Sequence, residues 1–108
     1  MKLPANDVSS IEYQMGYAAD EFAQVLNRSF NGGQSNYQCL AISKHHWQIQ
    51  QQNSDLKITI RIKQKTPRKL GLFTLPVLQV NFETEKSDPM TQREFFNRFF
   101  KYFHKGGG

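Results

Sequence analysis

Between Asp55 and Glu83 the chain carries no acidic residue, yet six basic side chains, Lys57, Arg61, Lys63, Lys65, Arg68 and Lys69, fall in that interval. Cations repeated along a segment can follow a phosphate backbone, because each neutralised phosphate releases condensed counterions. In the stretch LKITIRIK, Lys57, Thr59, Arg61 and Lys63 alternate with Leu56, Ile58, Ile60 and Ile62. Such strict alternation predicts a strand with its cations on one face, same-face neighbours being about 7 Å apart. The following link, QKTPRKLG, adds Lys65, Arg68 and Lys69. These six residues are the candidate contacts for an anionic partner. Gln48, Gln50, Thr59, Gln79 and Asn81 are expected beside them, as groups able to bond to bases or sugars. Aromatic residues for base stacking are scarce there, with only Tyr37 and Phe73 nearby. The plain alternative is a solvated face whose basic and amide groups discourage edge pairing.

Other chemistry is thinner. His45 and His46 are adjacent, so on a strand their imidazoles point to opposite faces and cannot share an ion, and Cys39 alone does not complete a site. No metal and no cofactor is implied. No nucleophile motif, paired carboxylates or phosphate-cradling glycine loop ahead of a helix can be found, so an enzyme is not expected. Gly32 and Gly33 follow a helical pattern and suit its termination. The terminal Gly106-Gly107-Gly108 resembles the diglycine tails of ubiquitin-like and sulfur-carrier proteins. It follows a helix rather than a strand, however, and a helix cap with a flexible end explains it.

Composition bounds these readings. One modest core fits within 108 residues. A single cysteine excludes an internal disulfide framework and points to a reducing, cytoplasmic setting. Neither a signal-like apolar run nor a membrane-spanning stretch is present, so integral membrane association is not expected. The net charge of +5 favours anionic partners.

The elements that must position the basic row can be read in turn. Met1–Asp7 and Gly106–Gly108 are expected to be flexible ends of a single domain spanning the chain. Ile11, Tyr13 and Met15 alternate with polar residues, predicting a half-buried strand. From Tyr17 to Phe30, Ala18, Phe22, Val25, Leu26 and Phe30 share one helical face. Tyr37 to Ile42 is the second strand. Two registers, pairing Leu40 with either Trp47 or Ile49, both place Leu40 and Ile42 on the buried side. The third strand, Trp47 to Gln51, meets the fourth through a hairpin tipped by Asn53-Ser54. Ile49 should then face Ile58 and Trp47 Ile60, with Gln50 opposite Lys57 and His46 opposite Arg61.

Pro67 and Gly71 argue against a continuous central strand from Gln64 to Gly71. A fifth strand follows, in which Leu78, Val80 and Phe82 alternate with polar residues. Ahead of it Phe73, Leu75 and Val77 have the opposite parity, and Pro76 predicts an edge or bulge. These three form a candidate interaction lip. Asp88-Pro89 is a helix start, and the run to Lys105 sets Phe95, Phe96, Phe99, Phe100 and Phe103 in one arc. That arc could enter an anionic lipid interface beside Arg93, Arg98, Lys101, His104 and Lys105, but a five-stranded sheet needs a cover. Phe99 is expected to be core.

The order strand, helix, four strands, helix predicts an α+β fold, β-α-β-β-β-β-α, with one antiparallel sheet of about five strands and both helices on one face. In element order it is similar to one half of a TATA-binding-protein-like fold, and it more distantly resembles a small helix-grip domain. The functional expectation is a binding module for an anionic partner, with nucleic acid leading. The alternatives are a protein-protein or homo-oligomer contact through the Phe73, Leu75 and Val77 lip, a glycine-tail carrier, or a membrane-surface binder.

Overall fold

The computed structural model describes residues 9–31, 36–85 and 88–103. Strand β1 (Ser9–Met15) leads into helix α1 (Ala19–Phe30) and then strands β2 (Tyr37–Ser43), β3 (His46–Gln51), β4 (Lys57–Leu70) and β5 (Phe73–Thr84), before helix α2 (Pro89–Tyr102). The strands form one antiparallel sheet in the order β1-β5-β4-β3-β2. β4 is thus central, flanked by β5 and β3, and β1 and β2 are the edges. The expected α+β architecture with a single antiparallel sheet is what the protein adopts.

One sheet face is closed by the two helices, because alternation along the strands concentrates apolar residues there. Ile58, Ile60, Leu78, Val80 and Phe82 are buried from β4 and β5, and Trp47 and Ile49 from β3. Against them lie Phe22, Leu26 and Phe30 of α1 and Phe95 and Phe99 of α2, with Phe103 just past its end. The aromatic arc is the lid of the core: Phe99 stacks on Phe103 at 4.2 Å and meets the Phe82 ring edge-on at 4.9 Å. Phe100, at the margin of the arc, is 36% exposed. Asp88 caps α2 as its type and position predict, its carboxylate accepting from the Thr91 backbone N–H at 3.2 Å with Pro89 following.

The β3–β4 register is the expected one, with Ile49 opposite Ile58, Trp47 opposite Ile60, Gln50 opposite Lys57 and His46 opposite Arg61. Asn53 holds φ at 61° in the connecting turn, a left-handed conformation its short polar side chain tolerates.

Two expectations are corrected. In β2, Cys39 lies opposite Ile49 and Ala41 opposite Trp47, a one-residue offset from both anticipated registers. Tyr37 and Cys39 are therefore buried, whereas Leu40 and Ile42 are 42% and 55% exposed. The cause is α1, which covers only the start of β2. Phe30 meets Tyr37 edge-on at 5.2 Å, and the Asn31 side chain bonds both backbone groups of Cys39.

The second correction concerns Gln64 to Leu70, which belongs to β4 rather than to a link. The ladder with β5 passes Lys65 opposite Val77, breaks, and resumes with Arg68 opposite Leu75. Thr66 and Pro67 on one strand and Pro76 on the other occupy that break. A bulge asks no ladder N–H of either proline, so the strand continues through them. Leu70 and Phe73 then close the hairpin around Gly71 and Leu72. Gly71 has φ of 63°, the positive value a two-residue turn of this kind places on glycine at its first central position.

Candidate site: a basic hairpin arm on an open sheet face

The second sheet face is covered by no element among the described residues. Its rows can be followed through the pairing: Glu12, Asn81, Arg61 and His46 in one, Gln14, Gln79 and Lys63 in the next, and Lys57, Gln50 and Gln38 in a third. Side chains opposite one another on an antiparallel pair share a face, so these polar groups lie together on one surface. Gln48 and Thr59 share a fourth row with Ser10, Glu83 and Leu40, so the expected amide and hydroxyl groups lie on this face together with the carboxylates of Glu12 and Glu83 and an exposed leucine.

Beyond that surface β4 and β5 continue as a two-stranded arm. β3 pairs with β4 only as far as Arg61, and β1 pairs with β5 only as far as Leu78, opposite Gln64. From Lys65 and Val77 outward the hairpin has no neighbouring strand on either side. At about 3.3 Å per residue it projects roughly 20 Å.

The bulge decides which way its cations point. Lys65 pairs with Val77 and Arg68 with Leu75, so inserting one extra residue returns Arg68 to the face of Lys63 and Lys65. Lys57, Arg61, Lys63, Lys65 and Arg68 thus form one column along β4, spanning about 35 Å. Lys69, opposite Thr74, leaves the arm from the other face. All six sequence-predicted residues therefore fall on one strand, and five share a face.

Their electrostatic states differ. Arg61 donates from Nη1 to Glu83 Oε1 at 2.7 Å, with both side chains about half exposed. Lys57, Lys63, Lys65, Arg68 and Lys69 have no ion pair among the described residues.

Beside the cations runs an apolar column. Val77 opposes Lys65, Leu75 opposes Arg68, and Phe73 opposes Leu70. Phe73 and Leu75 are 73% and 45% exposed, and Val77 is half-buried where the arm joins the body. The anticipated lip is thus an exposed stripe on the arm. Two further apolar residues lie outside the lip read from the sequence: Leu70, 51% exposed, and Leu72, fully exposed at the tip. The run Leu70-Gly71-Leu72 between Pro67 and Pro76 was the signal, hidden by treating the segment as a link.

Gln64 fixes the arm to the body. Its Nε2 donates to the Val77 carbonyl at 3.0 Å, while its Oε1 accepts the Ala19 backbone N–H at 3.0 Å. Since α1 has no side-chain cap from Ala18, a strand residue supplies the acceptor that the helix start lacks.

The remaining candidates are not brought together. Cys39 faces the core and His46 the open surface, so no shared site arises between them. Burial pushes the Cys39 thiol up to about 11, leaving it a neutral core group. Burial also raises the Tyr37 hydroxyl, with Glu94 adding to the shift and Arg98 opposing it. Gly32, Gly33 and Gly106–Gly108, with both expected flexible ends, lie outside the described residues, as do His104 and Lys105. No described helix is long and apolar enough to cross a membrane.

No protein-family model matches the chain, no curated protein is significantly similar to it, and no solved structure matches it.

Proposed function

We propose that the protein is a non-enzymatic binding module for an anionic polymer, nucleic acid being the polymer its surface suits best. The observation that carries this reading is the continuous basic column on β4. Lys57, Lys63, Lys65 and Arg68 share one face with no ion pair among the described residues, beside the open amide-bearing sheet surface. A linear polyanion laid along the strand meets each cation in turn, and a two-stranded ribbon has dimensions that the major groove of B-form DNA admits. Gln79, Asn81, Gln48 and Gln50 supply donors and acceptors next to that track.

Titration of labelled duplex and single-stranded oligonucleotides at several salt concentrations tests the reading. Binding should weaken steeply with salt. On a duplex, Lys63→Glu, Lys65→Glu and Arg68→Glu should each reduce the log-log salt slope by about 0.9 or more, alike on all sequences. Absence of binding at low ionic strength would sink the proposal.

A second reading is supported by the exposure of Phe73 and Leu75: a protein contact through the arm, including self-association. A molecular mass that rises with concentration and returns to the monomer value in Leu75→Asp would favour it.

A further inference from the structure

The arm ends in an apolar point with cations behind it on both faces. Leu72 is fully exposed at the extremity, with Phe73 at 73% and Leu70 at 51% beside it. Arg68 leaves the arm on the face of Leu75 and Lys69 on the face of Thr74, so positive charge straddles the tip. From this arrangement we infer that the tip is a wedge for double-helical nucleic acid. Leu72 and Phe73 enter between two base pairs from a groove, and Arg68 and Lys69 reach the phosphate strands that border it. The inference rests on the proposed nucleic-acid reading and gives the apolar stripe a role within it.

Three observations select this occupant. A second copy of the chain would bring Lys65, Arg68 and Lys69 against their own kind, with no acidic residue between Asp55 and Glu83 to compensate, so charge opposes tip-to-tip pairing. An anionic bilayer would meet the end of the arm alone. Lys65 stands within roughly 10 Å of Arg68 along the strand, and a bilayer at the tip would leave Lys63, Arg61 and Lys57 farther back on β4 without a contact. A duplex laid along the arm meets the tip and the column together. Proteins that bind the minor groove insert Leu, Phe or Pro side chains in this way, partly unstacking a step and kinking the helix by roughly 20–90°. Gln64 anchors the base of the arm to both α1 and β5.

The test uses the full chain and a 20-base-pair duplex carrying a fluorescent base analogue at successive positions and a donor-acceptor dye pair at its ends. Binding of the native protein should raise the analogue's fluorescence several-fold at an unstacked step and shorten the end-to-end distance. Leu72→Ser combined with Phe73→Ser, both at exposed positions, should abolish both signals while leaving the salt slope of binding unchanged. Lys65→Glu combined with Arg68→Glu should instead lower affinity and slope together. Binding with no change in fluorescence or length overturns the wedge and leaves the nucleic-acid reading standing. No duplex binding at low salt overturns both. Co-sedimentation with phosphatidylserine vesicles, lost in the Leu72→Ser, Phe73→Ser variant and without duplex binding, would reassign the tip to a lipid surface and overturn the inference.

Discussion

Arg98 of α2 closes the molecule onto the end of α1: its Nε and Nη2 both donate to the Ser29 carbonyl oxygen, at 3.0 and 2.8 Å. That carbonyl belongs to the last turn of α1, where unpaired oxygens and the negative end of the helix dipole attract a cation. The guanidinium also lies 5.6, 5.5 and 5.5 Å from the ring centroids of Phe30, Tyr37 and Tyr102. A residue on the polar arc of α2 therefore serves as an interhelix clamp.

Replacing Arg98 with Lys keeps the charge and removes the planar fork. Lysine offers one donor to the oxygen and no flat surface to the rings, so about 1.5–3 kcal/mol should be lost. Urea denaturation at neutral pH measures it. A change below about 0.5 kcal/mol would show that the fork and flat surface of the guanidinium add little beyond its charge.

The phenylalanine arc gives a graded expectation. Phe99 is fully buried between Phe103 and Phe82, and Phe99→Ala should cost about 3–5 kcal/mol. Phe100 is partly exposed and contacts Tyr13 at 5.1 Å from the margin. Phe100→Ala should cost clearly less. Equal losses from the two variants in thermal unfolding would contradict the role assigned to the arc.

The β3–β4 register was legible because Ile49, Trp47, Ile58 and Ile60 alternate without interruption and Asn53 marks the turn. β2 was not, for a reason its own residues hide: Leu40 and Ile42 are more apolar than Cys39 and Ala41, so hydrophobic pattern favours the wrong face. A contact from outside the strand, Asn31 on Cys39, accompanies the other choice. The arm was misread because each proline argues locally against a strand. Only their placement together in one break of the ladder makes both acceptable, and that is a property of the pair. The six basic residues were legible as a set. Their sorting into a column of five and an opposed Lys69 depends on the bulge.

Glu83 provides an internal test of the column. It holds Arg61 at 2.7 Å, so in the free protein that cation is partly neutralised. Glu83→Gln should release it, tighten binding to a labelled duplex and steepen the log-log salt slope by up to about 0.9. An unchanged slope would place Arg61 outside the contact surface.

Cys39 predicts a pH dependence of stability. Burial favours the neutral thiol, so the folded chain keeps this proton up to about pH 11, whereas the ordinary value is 9.0. Folding stability from this group is complete below pH 9 and is lost as pH rises towards 11, because the unfolded chain then gains by ionising. Urea midpoints between pH 8 and 11 should fall more steeply for the native protein than for Cys39→Ala, by at most one proton per molecule. Parallel slopes would refute the assignment.

Asn31 braces the strand edge that carries the same thiol. Cys39 lies on an edge strand, and its backbone N–H and carbonyl face away from β3. Asn31 satisfies both, accepting at Oδ1 from the N–H at 2.9 Å and donating from Nδ2 to the carbonyl at 3.1 Å, as a neighbouring strand would. Asn31→Ala leaves both groups without that partner, at a cost of about 1–3 kcal/mol. If the loss falls mainly on local opening of this edge, thiol alkylation at pH 8 should accelerate about tenfold or more, since about 1.4 kcal/mol is a factor of ten in the open population. Global unfolding by urea would move too, but labelling in the absence of denaturant separates the two. Alkylation no faster than in the native protein would mean that the α1 packing, and not the Asn31 amide, keeps β2 in its one-residue offset.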